Sequence, residues 1–135
     1  MQSATQTQTA AKTQLWAGRI MTALPVLFLL FDSVTHLMKI APVVESFNQL
    51  GYPLSLALGM GILELVCVVV YVIPSTSILG AILLTGYLGG AVAAHARIGD
   101  PLLSHVLFPV YVGVLVWGGL YLRNERLRAL LPLQR

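Results

Sequence analysis

Asp32, His36 and Lys39 stand at i, i+4 and i+7 within one apolar run, which puts a carboxylate, an imidazole and an ammonium group on one face of a helix. Glu64 stands in the middle of a second apolar run, with Met60, Cys67 and Tyr71 on its helical face; His95 and Arg97 close a third run and His105 opens a fourth. An ionisable group inside an apolar run costs roughly a few kcal/mol or more unless it faces a protein interior, pairs or reaches water, so these residues are the strongest pointers to function. Carboxylates beside imidazoles can move protons or fix the polar end of a bound molecule. Asp32, His36, Glu64, His95, Arg97 and His105 are therefore the candidate ligand-binding set, and Glu64 and Asp32 the candidates for acid or base should the chain be catalytic, a point left open. Arg97 and Lys39 are the candidate counter-ions for Glu64.

Simpler accounts cover part of this set. Asp32 and His36 have the spacing of an ordinary helix-stabilising pair, Lys39 can extend to lipid headgroups, and His95 and His105 fit an interfacial position. Glu64 resists such an account, because neither helix end lies within easy reach of its side chain. Carboxylates and imidazoles are suitable metal ligands, but no H-E-x-x-H or comparable close spacing is present, and no metal site is expected. Cys67, the single cysteine, has no partner for an intramolecular disulfide or a C-x-x-C motif and reads as a packing residue.

The elements that must position these residues follow from composition. A chain of 135 residues with 57% hydrophobic and 10% charged content, and a mean hydropathy of +0.83, has too little polar surface to coat a water-soluble globule. A bilayer core about 30 Å thick takes about 20 apolar residues per helix. Four runs meet that demand, at about 15–40, 54–73, 76–97 and 101–123, so the expected fold is all-α, an integral membrane four-helix bundle with short loops. Pro25 lies inside the first run as a tolerated kink. The connection 41–53 carries Val43, Val44, Phe47 and Leu50 at helical spacing and could form a short helix on the membrane surface. Pro74 ends the second run, and Ser75 or Thr76 can cap the third. Gly99, Asp100 and Pro101 form a turn in which Asp100 reads as an N-cap and Pro101 as the first residue of the fourth helix.

Residues 1–14, rich in Gln, Thr, Ser and Ala, read as a flexible polar tail, and 124–135, where arginines alternate with leucines, as a basic interfacial tail facing anionic headgroups. A cleaved signal peptide over Lys12–Phe31 is not expected, since no A-x-A-like site follows. Lys12, Arg19, Arg123, Arg126, Arg128 and Arg135 gather at the ends of the chain, whereas the opposite loops offer Lys39 and Arg97, so both termini are expected in the cytoplasm. Lys39, His95, Arg97 and His105 then lie near the outer boundary, with Asp32 and Glu64 roughly 10 to 15 Å deeper. Small residues every fourth position, Ala81, Thr85, Gly89 and Ala93, beside Gly86, Gly90 and Ala94, predict a central third helix or a contact between chains, which admits a homo-oligomer.

Several of these segments, Trp16-Ala-Gly-Arg19, Phe31-Asp32-Ser-Val-Thr-His36, Pro42-Val-Val-Glu45-Ser-Phe47, Gln49-Leu-Gly-Tyr52-Pro53, Leu63-Glu64-Leu65, the run from Leu79 to Gly90, His95-Ala-Arg97 and His105-Val-Leu-Phe-Pro109, resemble the DoxX-like family of small four-span bacterial membrane proteins. The resemblance covers nearly everything from Trp16 to Leu131. It implies a bacterial inner-membrane location and places Asp32, His36, Glu64, His95, Arg97 and His105 in the family's polar set, without assigning them a reaction. Through the wider DoxX and DoxD group, which includes subunits of a thiosulfate:quinone oxidoreductase, it also implies a link to quinone or thiol redox systems.

The sequence carries no haem, flavin or iron-sulfur signature, so electron transfer would need a redox partner or a diffusible quinone. The leading expectation is a small-molecule-binding or accessory membrane protein with an outward-facing polar pocket, its partners being the lipid bilayer and a lipophilic small molecule or membrane redox partner, and no nucleic acid. One alternative is an intramembrane proton-transfer enzyme such as an isomerase; another is a small transporter or proton-coupled subunit, which the strongly apolar stretch between Arg19 and Asp32 disfavours.

Overall fold

Prolines and left-handed residues set the punctuation of the chain. A computed structural model, which describes residues 2–131, holds six α-helices, a 3₁₀ turn, a π-helical turn and no strand among those residues. Helix α1 spans Gln2–Met38, α2 Ala41–Leu50, α3 Leu56–Val72, α4 Ser77–Arg97, α5 Phe108–Arg123 and α6 Glu125–Leu130. Three stretches, Gln2–Met38, Pro74–Arg97 and Leu102–Arg123, are long and apolar enough to cross a membrane, and α3, with 17 residues, is a shorter apolar helix of about 26 Å. The fold is thus all-helical, as the composition requires, but it is more than four helices joined by short loops: α2 and α6 are additional elements.

Helices α1, α3, α4 and α5 pack as a ring, each against two neighbours, with α1 and α4 on the diagonal. The expected central place for α4 is therefore replaced by a wall position, and Gly86, Gly89 and Gly90 on it have no neighbouring atom within 4 Å of where a Cβ would stand. The close approaches lie elsewhere. A Cβ on Gly80 would come 2.3 Å from Tyr71 Cα, so α3 and α4 touch backbone to backbone just after their tight turn. Gly18 and Gly119 serve the α1–α5 crossing in the same way, and Gly61 the α1–α3 crossing, where a Cβ would come 3.0 Å from Ser33 O and His36 Cβ. Between the helices lies an apolar core that includes Leu29, Val68, Tyr71, Leu84, Val116 and Leu120. Tyr71, fully buried, satisfies its hydroxyl by donating to Val116 O at 2.7 Å. The outer faces are equally apolar: Leu24, Leu27, Phe31, Ile62, Val66, Ile82 and Val114 are all exposed, the reverse of a water-soluble protein and the pattern of a membrane protein in contact with lipid.

Three helices stop by the same device at one end of the bundle. Lys39, Gly51 and Gly99 take left-handed conformations (φ 50°, 75° and 73°), and the next amide donates five residues back, Ile40 to Thr35 O, Tyr52 to Phe47 O and Asp100 to His95 O. These turns fold α2 across that end, where Phe47 packs on His36 and Arg97 reaches over from α4 to donate to Leu50 O and stack on Tyr52 at 5.8 Å.

Other local expectations change. Asp100 does not cap the fourth helix, because its carboxylate is engaged by His95; Pro101 is extended (ψ 127°), residues 102–106 form a π-helical turn, and α5 begins only at Phe108. Thr76 stands at the N-cap position of α4 but its side chain makes no cap hydrogen bond: Oγ1 donates instead to Val70 O at 2.7 Å, tying the 3₁₀ turn Pro74–Thr76 back to α3. Residues 2–14, expected to be a flexible tail, extend α1 as exposed helical turns, with Thr7, Thr9 and Thr13 donating to carbonyls four residues back. At the other terminus Asn124 caps α6, Leu127 is buried, and Arg128 donates to Tyr121 O and Leu122 O, the free carbonyls at the end of α5. The last part of the expected basic tail, residues 132–135, lies outside the described residues.

Two tests follow from the packing. Gly80→Val should lower stability by about 1–3 kcal/mol through the α3–α4 contact, whereas Gly86→Ala should leave it unchanged or raise it; thermal unfolding in a mild detergent distinguishes the two. Arg97→Ala should speed hydrogen exchange of amides 41–50 while those of α3 and α5 stay protected, as read by mass spectrometry.

Candidate functional site

Gly61 makes the site possible. With no Cβ there, α1 can lie against α3, and Glu64, one turn further along α3, comes opposite Asp32 and His36. Asp32, His36 and Glu64 each offer a ligand-type atom, and those atoms all lie within 4.8 Å of one another. Glu64 is fully buried. Its Oε2 accepts a hydrogen bond from the Tyr87 hydroxyl at 3.2 Å, whereas no N–H or hydroxyl donor reaches Oε1 and the neighbouring polar group is the Asp32 carboxyl. His36 Nδ1 lies 2.8 Å from Asp32 O and 3.4 Å from Asp32 Oδ2. A carbonyl can only accept, so Nδ1 carries the hydrogen in that contact, and the lone pair of the neutral ring is on Nε2.

These groups line one cavity of about 460 Å³. Asp32, His36, Glu64, Tyr87 and His95, with Ser46 and Tyr52, supply its polar side chains; Phe28, Phe47, Met60, Phe108 and Val112 supply much of its apolar wall. Gly86 and Gly90 flank Tyr87 in the chain and leave the space that larger side chains would fill. Beneath Glu64 the bundle closes, since Cys67, Val68 and Tyr71 follow it on α3 and all are buried. The volume and the mixed lining suit a small molecule of moderate size with a polar end and an apolar body.

The sequence-derived set divides here. Asp32, His36, Glu64 and His95 meet at the cavity. His95 approaches Asp100 Oδ2 through Nδ1 at 2.5 Å, which ties it to the turn at the end of α4. His105 is exposed, contacts Ser104 Oγ, and reaches the group only through its ring, 6.0 Å from that of His95. Arg97 does not line the cavity; it holds α2 in place. Neither Arg97 nor Lys39 pairs with Glu64, so the expected counter-ions are replaced by a hydroxyl and a neighbouring carboxyl group. Lys39 is held away by its place in the left-handed turn that ends α1.

Tyr87 is the cavity residue that the sequence reading did not single out. The available signal was its depth: it lies at the middle of α4, where its hydroxyl needs a partner, and Glu64 lies at the middle of α3, which the tight 73–76 turn makes antiparallel to α4. Trp117 shows the same rule on the outer side, donating to Thr85 Oγ1 at 2.7 Å.

No curated protein and no solved structure matches the chain. The model of the DoxX-like family matches residues 20–119, a stretch that holds α2, α3 and α4 whole and every polar residue of the cavity, and the chain belongs to the DoxX-like family.

Proposed function

We propose that this protein is a four-span inner-membrane protein, with both termini cytoplasmic, that binds a lipophilic small molecule whose polar end is held by Glu64, Asp32 and Tyr87. The observation that carries the reading is the unpartnered Oε1 of a fully buried Glu64 at the wall of a largely apolar cavity. A buried acceptor without a partner costs about 1–3 kcal/mol, so a molecule that donates a hydrogen bond there recovers that energy on binding. A quinol fits the requirement: its hydroxyl can donate to Glu64, and its flat ring suits a cavity walled by Phe28, Phe47 and Phe108. A link to membrane redox systems would then run through a diffusible quinone, with any redox partner docking from outside the bundle.

Four spans are supported by the ring of α1, α3, α4 and α5, in which α3 is lengthened at its amino end by the turn at 53–55 and at its carboxyl end by 73–76. The arginine-rich end carries Arg19, Arg123, Arg126 and Arg128, and the cavity lies toward the opposite end, beside α2, which supports an outward-facing pocket by the positive-inside rule.

A second reading, an intramembrane proton-transfer enzyme, draws support from Asp32, His36 and Glu64 standing together, a grouping able to take a proton from one carbon of a bound lipophile and return it to another. The buried core beneath Glu64 weighs against a transport path through the bundle.

Purification in native-lipid particles followed by mass spectrometry tests the binding reading. A stoichiometric lipophile should accompany the wild type and fall at least tenfold in Glu64→Gln and in Gly90→Leu, which fills the cavity without touching the carboxylates. Bulk lipid alone in all three samples would reject it. Solvent deuterium appearing in the bound molecule, with Glu64→Gln abolishing the incorporation, would favour the enzyme reading.

A further inference from the structure

We propose that Asp32, His36 and Glu64 form a site for one divalent transition-metal ion, of the zinc, iron or manganese kind, with its open coordination positions facing the cavity. Sequence spacing hides the site because the ligands come from two helices: Asp32 and His36 one turn apart on α1, and Glu64 on α3. Their ligand-type atoms already lie within 4.8 Å of one another. Ligands about 2.0–2.2 Å from a common ion stand roughly 3.4 Å apart in tetrahedral geometry, so modest side-chain rotation closes the set.

Three observations beyond the clustering point to a cation. The first is the fully buried Glu64 carboxylate with Oε1 unpartnered. The second is the orientation of the two outer partners: Tyr87 donates to Glu64 Oε2, and His36 Nδ1 lies against Asp32 O. Metal-bound histidines are held by such a bond from their other ring nitrogen to a carbonyl, and metal-bound carboxylates by a donor on one oxygen. The third is charge. Two carboxylates and a neutral imidazole around a divalent ion sum to zero, which suits an apolar bundle with neither Lys39 nor Arg97 paired to either carboxylate. One imidazole and two carboxylates, without a thiolate, suit zinc, iron or manganese and exclude monovalent copper. The ion would sit where the polar end of the proposed lipophile is held, but the inference does not depend on a lipophile binding.

The test is metal binding by tag-free protein in lipid particles, stripped with a chelator and titrated with Zn²⁺, together with X-ray absorption at the zinc edge. One Zn²⁺ per chain is expected, in a shell of oxygen atoms with a single imidazole. Asp32→Asn and Glu64→Gln should each weaken binding at least tenfold, whereas His105→Ala should leave it unchanged. Gly90→Leu should keep the metal while losing the lipophile, which separates failure of this site from failure of the pocket reading. Absence of saturable binding in the wild type would overturn the proposal. So would a shell with two imidazoles, which would indicate adventitious capture by His95 and His105. The absorption spectrum of the wild type decides the matter even where a variant fails to fold.

Discussion

The constraint on which this molecule turns is the Glu64 carboxyl group, held without solvent contact between apolar helices. A negative charge in such a place has to be balanced at close range by a proton, a cation or donors, because there is no water to screen it. The chain provides one donor, Tyr87, and a second carboxyl group, Asp32, and places its basic side chains elsewhere: Arg97 on α2, Arg123 over the Tyr71 ring at the far end, and Arg128 on the end of α5. The imbalance is local and is built by the fold. It requires the α1–α3 crossing to be close enough to bring Asp32 within reach, and that closeness depends on Gly61.

The rest of the bundle divides into a half that is filled and a half that is left open. Toward the arginine-rich end, glycines let backbones meet: Gly18 against Gly119 and Gly80 against Tyr71, with Tyr71 and Val116 joined by a hydrogen bond. Dispersion and backbone contact hold helices together there, as they must where lipid offers no hydrophobic driving force. Toward the other end the same residue type has the opposite effect. Gly86 and Gly90 meet nothing and so leave a cavity, which α2 and its Arg97 clasp close on one side. A small residue in a membrane helix thus marks either contact or void, and only the neighbouring helix decides which.

That distinction explains how much could be read in advance. The all-helical class, the apolar runs and the conspicuous polar residues Asp32, His36, Glu64 and His95 were legible, because hydropathy and helical periodicity are local properties, whereas their meeting at one cavity depends on how the helices pack. The partners of those charges were not. Pairing Glu64 with Arg97 or Lys39 was reasonable by charge, but Arg97 is drawn off by the carbonyl of Leu50 and Lys39 by the turn it occupies. Asp100 looked like a helix cap and is instead a histidine partner, since the left-handed Gly99 turns the chain back and brings its carboxylate to His95. The periodic small residues of α4 suggested a central helix because periodicity reports a face and is silent about what the face meets.

A site of this kind also accounts for the ring of helices being asymmetric in its polarity. Filling the cavity with leucines and replacing the two carboxyl groups by apolar residues would remove a buried acceptor and add dispersion contacts, both of which stabilise a bundle in lipid. The chain instead keeps two carboxyl groups, an imidazole and a tyrosine hydroxyl around an open volume at a stability cost of several kcal/mol by the usual scale for intramembrane polar groups. The tight glycine crossings at the opposite end offset that cost, because stability gained there is independent of the cavity. The architecture is therefore a closely packed base beneath an open cavity lined by polar groups, with the two halves stabilised by separate contacts.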